Sequence, residues 1–151
     1  MPSNTTTTVI GGKGLIKYLN ELKVATVRET KTAIRVTAIK IENDYIRGVR
    51  GNKQSGDLEN SIDHDIAPGG MSATIGSTAE HSIFIEFGTR PHIIKSKGNY
   101  SLSDGVDYFG KTVNHPGTAA NPALRRAFLK HAGARGERLA AAILKELNRP
   151  K

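Results

Sequence analysis

The stretch that most constrains this chain is an apolar run that a glycine and a proline bring to an end. Residues 83–92 read Ile-Phe-Ile-Glu-Phe-Gly-Thr-Arg-Pro-His and form the densest apolar run in the sequence. Gly88 can adopt a positive φ, and Pro91 fixes the direction in which the chain leaves. We predict a short helix over 77–88, because Ser77 or the threonine after it can cap the first turn and Gly88 the last. A buried strand is the alternative that continuous apolarity leaves open.

A second punctuated stretch, residues 115–122, reads His-Pro-Gly-Thr-Ala-Ala-Asn-Pro and leads into the last helix. Asn121 is a good N-cap and Pro122 suits the first helical position, so a helix is predicted from there to about Leu147. Gly133 and Gly136 predict a kink or a break in its middle. The helix is strongly basic, with Arg125, Arg126, Lys130, Arg135, Arg138, Lys145 and Arg149.

Length and composition limit the classes of function. A chain of 151 residues fits one domain with a real core, and we place that domain at 13–149, behind a flexible tail at 1–12. The absence of cysteine excludes disulfides and thiolate metal sites. No apolar run approaches the length that crosses a bilayer, and the polar N-terminus is unlike a signal peptide. The net charge of +8 attracts polyanions or acidic protein surfaces, unless it serves solubility alone.

Two helices are predicted in the N-terminal third. Leu15, Leu19 and Leu22 form a helical stripe and predict a short amphipathic helix over 14–23. A second, longer helix over 26–49 follows from an apolar stripe at Val27, Ile34, Ala38, Ile41 and Tyr45. Val36 and Ile39 lie off this stripe, which indicates either a subunit contact or ordinary partial exposure.

Between the helical ends the pattern is that of β-hairpins. Leu58, Ile62 and Ile66 share one parity and predict a strand, which residues 71–76 accompany after a turn at 67–70. Such a hairpin has one buried face and one wet face.

A further hairpin is predicted around Asp104 and Gly105, a strong two-residue turn signal. In that register Tyr100 faces Phe109 across the strands. The polar start of the segment makes 95–111 an exposed arm. The fold class is therefore α+β, with a long N-terminal helix, antiparallel β-hairpins, a short central helix and a basic C-terminal helix.

No catalytic or metal constellation is recognisable. The histidines lack the ligand spacing of known metal motifs, and they are His64, His81, His92, His115 and His131. His115 is expected to hydrogen-bond the backbone of its connector. No Gly-x-Ser-x-Gly turn surrounds Ser77, no glycine loop suits a phosphate, and the paired acids fall where exposed carboxylates are the default. We predict no enzyme activity, no metal and no cofactor.

Three motifs in this order resemble a bacteriophage family of tail-completion proteins. Ser-Gly-Asp-Leu-Glu-Asn-Ser-Ile at 55–62 resembles the family's entry into its first strand, Ile-Glu-Phe-Gly-Thr-Arg at 85–90 its "EFGT" signature, and 115–122 its "HPGT…NP" signature. The resemblance covers roughly residues 13–147. The residues that carry it are Gly56, Leu58, Ser61, Glu86, Phe87, Gly88, Thr89, His115, Pro116, Gly117, Asn121 and Pro122. The chain departs from the family in having Ala123 where a phenylalanine is usual.

What the resemblance implies is structural. Such proteins form homo-oligomeric rings in the phage neck, where they complete the tail or join it to the head. The implied partners are further copies of the chain and neighbouring connector, neck and tail proteins, with no membrane. The implied location is the virion, after assembly in the host cytoplasm. Gly88 and Gly117 would supply backbone geometry, and Glu86 would accept hydrogen bonds from nearby amides or pair with Arg90.

Three questions stay open at the level of sequence. The basic residues of the last helix, above all Arg125, Arg126, Lys130 and Arg138, could face neighbouring subunits or DNA that passes through a channel. A tail-terminator role would also use a ring of small α+β subunits. A basic nucleic-acid-binding module is the competing class, although aromatic residues for stacking are few and no recognition-helix motif is present.

Overall fold

The computed structural model describes residues 11–50 and 56–147. Most of the predicted N-terminal tail (1–10), the segment 51–55 that begins the first motif, and residues 148–151 lie outside the described residues. The elements are α1 (Gly12–Val49), α2 (Asp57–Asn60), β1 (Ile62–Ile66), β2 (Ala73–Ser77), α3 (Ser82–Phe87), β3 (His92–Lys95), β4 (Leu102–Ser103), β5 (Tyr108–Gly110), β6 (Thr112–His115) and α4 (Ala123–Leu147). The α+β fold class is confirmed. None of the helices in the described ranges is long and apolar enough to cross a membrane.

The N-terminal third is one continuous helix, so the prediction of two helices is wrong. Between Gly14 and Gly48 the sequence contains neither glycine nor proline, and nothing else there interrupts the backbone ladder. Three threonine hydroxyls bond the carbonyl four residues earlier and so remain compatible with the helix. At 1.5 Å per residue, α1 is about 57 Å long, and Gly11 precedes it in the left-handed region at φ 98°.

The first hairpin is confirmed, but its approach differs from the prediction. Leu58 lies on the helical turn α2 rather than on a strand, and its side chain is buried. β1 and β2 are antiparallel, with Ile62 opposite Ser77 and Ile66 opposite Ala73. The predicted turn is closed by a hydrogen bond from the Gly70 amide to the Ala67 carbonyl. The wet and buried faces alternate along β1 as expected.

The short central helix α3 is confirmed as a helix, but it begins five residues later than predicted. Ser77 belongs to β2, where its hydroxyl lies 2.6 Å from that of Ser61 and accepts a hydrogen bond from the Ala79 amide. Ser77 therefore pairs with β1 as part of β2 and does not cap α3. Gly88 ends α3 with φ 71°, as the sequence indicated.

The segment after α3 forms two short antiparallel pairs, β3 with β6 and β4 with β5. The predicted two-residue turn is wrong, because Ser103 pairs with Tyr108 and leaves a four-residue loop. The Asp104 carboxylate accepts hydrogen bonds from the Val106 and Asp107 amides, which stabilises this wider loop. Tyr100 consequently does not face Phe109, and its side chain is almost fully exposed.

The core lies where α4 crosses α1 in the opposite direction. Ala123 packs against Gly48, where an added Cβ would come 2.8 Å from the alanine Cβ, and further along Lys130 and His131 reach Asp44. The buried cluster consists of Ile41, Tyr45, Val49, Leu58, Ile62, Ala123 and Ala127. α4 runs without interruption through Gly133 and Gly136, so the predicted break is absent.

Candidate functional site

The two punctuated motifs meet and lock each other in place. The Thr89 amide donates to the Thr118 carbonyl at 3.0 Å, and the Thr118 amide returns a hydrogen bond to the Thr89 carbonyl at 3.1 Å. The Thr118 amide also reaches the Thr89 hydroxyl. The Asn121 amide donates to the Ile85 carbonyl at 2.8 Å, one turn further into each motif. We call this contact the motif clasp; it joins residues 85–91 to residues 115–122.

Two glycines allow the backbones of the clasp to approach so closely. A Cβ on Gly88 would come 2.5 Å from the Thr118 carbonyl oxygen and 2.8 Å from the Ala120 amide nitrogen. A Cβ on Gly117 would come 2.9 Å from the Arg90 carbonyl carbon, and closer still to the Thr89 carbonyl oxygen. Both glycines also have positive φ, at 71° and 87°. Each glycine is therefore required by the backbone of the other motif.

Glu86 caps the C-terminal helix from outside it. Its two carboxylate oxygens accept hydrogen bonds from the Leu124 and Arg125 amides, at 3.1 and 3.0 Å. These amides belong to the first turn of α4, which has no intrahelical acceptors, and the helix dipole favours a negative charge there. The first of the two alternatives for Glu86, acceptance from nearby amides, is thus what the structure shows. Burial, and next the Glu86 charge, raise the pKa of Tyr45 above its ordinary value.

Asn121 has a different task from the predicted N-cap. Its side-chain nitrogen donates to the Gly48 carbonyl at 3.1 Å, and its side-chain oxygen accepts from the Arg126 guanidinium at 2.5 Å. The amide group therefore ties the end of α1 to the start of α4. Pro122 precedes α4, and its carbonyl accepts the Arg126 amide. The motif positions were found from sequence, whereas the role of Asn121 was not, because it depends on a neighbour 73 residues away.

His115 bonds its own connector, as predicted. Its Nδ1 accepts the Gly117 amide at 3.0 Å. Directly across the strand pair lies His92, whose ring centroid is 5.0 Å from that of His115. The His92 Nδ1 contacts the Arg90 carbonyl at 2.9 Å. Both rings therefore use one nitrogen to hold the base of the β3–β6 pair against the clasp.

The first motif reaches the same core from the other side. Gly56 adopts φ 78° before α2, Leu58 is part of the buried cluster with Val49 and Ala123, and the Ser61 hydroxyl donates to the Leu58 carbonyl. Phe87, by contrast, is 76% exposed. The motif residues thus build the clasp, fill the core or shape the turn before β1, whereas Phe87 stays exposed.

The predicted basic contacts of α4 are partly occupied within the chain. Lys130 pairs with Asp44 at 2.7 Å, and Arg126 bonds Asn121. Arg125 is exposed, and the structure gives its side chain no partner among the described residues. Arg138 lies within α4. The four residues therefore do not form one free cationic surface.

Asp44 is a feature that the sequence analysis missed. It accepts from Lys130, from His131 at 2.8 Å and from Arg47 at 2.6 Å, while only 12% of its side chain is exposed. Hydrogen bonds from Lys130 and then from His131 lower the pKa of Asp44 from 3.8 to about 2. The carboxylate thereby joins the second half of α1 to α4. Only the spacing between Asp44 and Arg47 could have been noticed in the sequence.

One group among the described residues has the composition of a metal site. Glu42, Asp63 and His64 carry potential ligand atoms within 4.8 Å of one another. The His64 Nδ1 contacts the Glu42 carboxylate directly, whereas the Asp63 side chain is 86% exposed. A hydrogen-bonded pair between α1 and β1, beside a solvated carboxylate, accounts for this arrangement.

Comparison with known proteins identifies the family. Residues 13–88, about half of the chain, match the family model described as "HK97-gp10_like: Bacteriophage HK97-gp10, putative tail-component". The match covers α1, the first hairpin and α3 as far as Gly88, and it leaves the 115–122 motif outside. Neither the search of curated proteins nor the search of solved structures found a match. The chain therefore belongs to the HK97-gp10-like family of bacteriophage tail components.

Proposed function

We propose that this chain is a structural protein of the phage neck, where a homo-oligomeric ring of it completes the tail or joins the tail to the head. Membership of a family of phage tail components carries the proposal. In this role the protein has no catalytic activity and acts by surface complementarity with neighbouring connector and tail proteins. Its site of action is the virion, and its residues 13–149 act as one domain.

In this proposal the arm at 95–111 makes the contact with a neighbouring protein. Tyr100, Val106 and Tyr108 are each more than 80% exposed on it. A two-stranded hairpin is only marginally stable alone in water, and the β4–β5 pair is very short. An arm of this composition gains stability when its aromatic residues pack against a neighbouring protein. We therefore expect the arm to order fully on contact in the assembled neck.

The test uses a phage in which the gene for this chain carries a nonsense codon. Without the protein we expect separate heads and tails by negative-stain microscopy, and purified protein should restore joined, infectious particles. Protein that lacks 95–111 should fail to restore them. A replacement of Met71 by serine, which changes an exposed apolar residue outside the arm, is the matched control and should restore them fully. Normal assembly and infectivity with the shortened protein would defeat the proposal.

The tail-terminator role makes a different prediction in the same experiment. A terminator caps the tail, so its loss gives tails of irregular length, whereas loss of a joining protein leaves tails of normal length. Tail length in the nonsense mutant therefore separates the two. The nucleic-acid alternative is weakened because Lys130 and Arg126 are engaged within the chain. Salt-sensitive DNA binding that an Arg125→Gln variant loses would revive it.

A further inference from the structure

The outer face of α3 is apolar and uncovered among the described residues. α3 turns Ile85 towards the core and uses Glu86 to cap α4. Its remaining large residues, Ile83, Phe84 and Phe87, point outwards and are 56%, 57% and 76% exposed. We call these three residues the α3 patch. A helix of this size normally buries its larger apolar side, so a patch of this kind marks an interaction surface.

A second apolar surface lies at the opposite end of α1. Leu15, Ile16 and Leu19 are all more than half exposed, and we call them the α1 ridge. α1 has 38 residues and α4 has 25, so α4 is 13 residues shorter. Because α4 begins beside Gly48 and runs back along α1, its described part ends about 20 Å before the α1 N-terminus. The ridge therefore stands beyond the end of the two-helix body.

The ridge and the patch cannot cover each other within one chain. Asn121 bonds both the Gly48 carbonyl and the Ile85 carbonyl, which fixes α3 at the C-terminal end of α1. Leu19 lies 29 residues before Gly48 on the same helix, a distance of about 43 Å. A continuous helix of this length does not fold back on itself, so a ridge that covers the patch belongs to another copy of the chain.

The chain exposes more surface than a compact protein of its size. Its accessible surface is 11913 Å². Even when the residues outside the described ranges are given the area of fully extended chain, about 2,000 Å² remains beyond what a compact body of the described size exposes. A standard interface takes about 800 Å² from each partner. The excess is therefore enough for two interfaces on every copy.

We infer that the α1 ridge of one copy docks onto the α3 patch of the next copy. The inference rests on the self-association contained in the proposed function and names the surfaces that carry it. Two different surfaces on each copy make a head-to-tail contact. Such contacts close into a ring when the rotation that relates one copy to the next divides evenly into a full turn. One contact type of this kind covers both apolar surfaces of every copy.

Shape favours this pairing over contact between like surfaces, and charge opposes contact between two ridges. A cavity of about 450 Å³ opens beside the patch, lined by Phe84, Gly88, Thr89, Arg90 and His92. The ridge lies on the convex surface of a helix, and Leu15 and Leu19 follow the i, i+4 spacing by which a helix occupies a groove. Two ridges placed together would instead bring like charges face to face, because Lys13, Lys17 and Lys23 outnumber Glu21 there.

The experiment measures mass by light scattering on the full chain and on two double variants. The ridge variant carries Leu15→Glu and Leu19→Glu, and the patch variant carries Phe84→Glu and Phe87→Glu. We expect the wild type to form an oligomer and each variant alone to have the monomer mass of 16.3 kDa. The loss of association should be about 100-fold or more, since each variant would bury two unpaired carboxylates in the contact. A Met71→Glu control should keep the wild-type mass.

Mixing the two variants gives the decisive result. The ridge variant keeps an intact patch and the patch variant keeps an intact ridge, so one contact can form and growth then stops. We expect a one-to-one dimer in the mixture, which also shows that both variants are folded. A wild-type chain that stays monomeric, a variant that keeps the wild-type mass, or a mixture that stays monomeric would each overturn the inference.

These outcomes are separable from those of the proposed function. If particles assemble normally without the protein while the variants behave as described, the neck role is wrong and the contact stands. If particles require the protein while both variants still form the wild-type oligomer, the contact is wrong and the neck role stands.

Discussion

The cap that Glu86 places on α4 gives the sharpest stability prediction. Both of its carboxylate oxygens accept amides of the first α4 turn. A hydrogen bond to a charged group contributes about 1.5 kcal/mol at the lower end of its range, which suits a half-buried carboxylate. Glu86→Gln keeps one acceptor oxygen and should lower the free energy of unfolding by about 1.5 kcal/mol. Glu86→Ala loses both hydrogen bonds and should lower it by about 3 kcal/mol.

The assay is urea denaturation at pH 7, followed by far-UV circular dichroism. With a slope of about 2 kcal/mol per molar urea, the midpoint should fall by about 0.8 M for Glu86→Gln and about 1.5 M for Glu86→Ala. All proteins are compared at one concentration, because association adds to the apparent stability. Glu80→Gln is the matched control, since Glu80 is exposed and the structure gives it no partner among the described residues.

The reasoning predicts an order as well as a size. Alanine must be worse than glutamine, and both must be worse than the Glu80 control. If both Glu86 variants unfold within about 0.5 kcal/mol of the wild type, then the carboxylate is not an effective cap, and the interpretation of the "EFGT" glutamate given above is wrong.

Three further predictions use the same denaturation assay. Gly88→Ala should destabilise the protein by more than 2 kcal/mol, because it adds a clash with the Thr118 carbonyl to the strain of a positive φ. Gly105→Ala is the control: Gly105 has φ 97° and open space around it, so this variant has the backbone strain without the clash and should destabilise less. Thr37→Val should stabilise by about 1 kcal/mol, because the Thr37 hydroxyl is buried and has no hydrogen-bond partner within residues 11–50 and 56–147; equal or lower stability would contradict this. For Asp44, a folded-state pKa of about 2 against 3.8 unfolded gives about 2 kcal/mol of stability that is present above pH 4 and lost as the pH falls towards 2. The difference in unfolding free energy between wild type and Asp44→Asn should therefore shrink by about that amount between pH 6 and pH 2, and a constant difference would speak against the assignment.

Sequence reasoning was successful where backbone chemistry is local. Gly88 ends α3, the turn at 67–70 closes a hairpin, and α4 starts at Ala123, one residue later than predicted from Pro122. In each case a glycine or proline restricts the backbone whatever surrounds it. The same information was enough to predict an α+β fold.

The failures arose where distant partners decide the structure. α1 was predicted as two helices because its apolar stripe changes along the sequence. A stripe indicates which side of a helix is covered, and a change in it does not interrupt the helix. Ser77 was assigned to α3 because it can cap a helix, yet its pairing with Ile62 in β2 prevails. The tasks of Asp44 and Asn121 depend on residues far along the chain and have no local pattern.

The candidate site shows the same division. The motif positions could be recognised individually, and of the two alternatives for Glu86 the acceptance of amide hydrogen bonds was confirmed. What could not be predicted is that two of the motifs interlock through glycines that exclude any side chain. The exposure of Ile83, Phe84 and Phe87 was also unexpected, because a dense apolar run ordinarily predicts a buried segment.

The motif clasp also makes the arm an exchangeable part. Thr89 and Thr118 are 29 residues apart and are joined by reciprocal hydrogen bonds, so the arm at 95–111 lies in a loop whose ends are fixed by the body. Doubling the length of a flexible loop costs only about 0.6 kcal/mol. The segment can therefore be lengthened, shortened or replaced with little effect on the packing of α1 against α4. The arm can in this way change while the body that carries it stays the same.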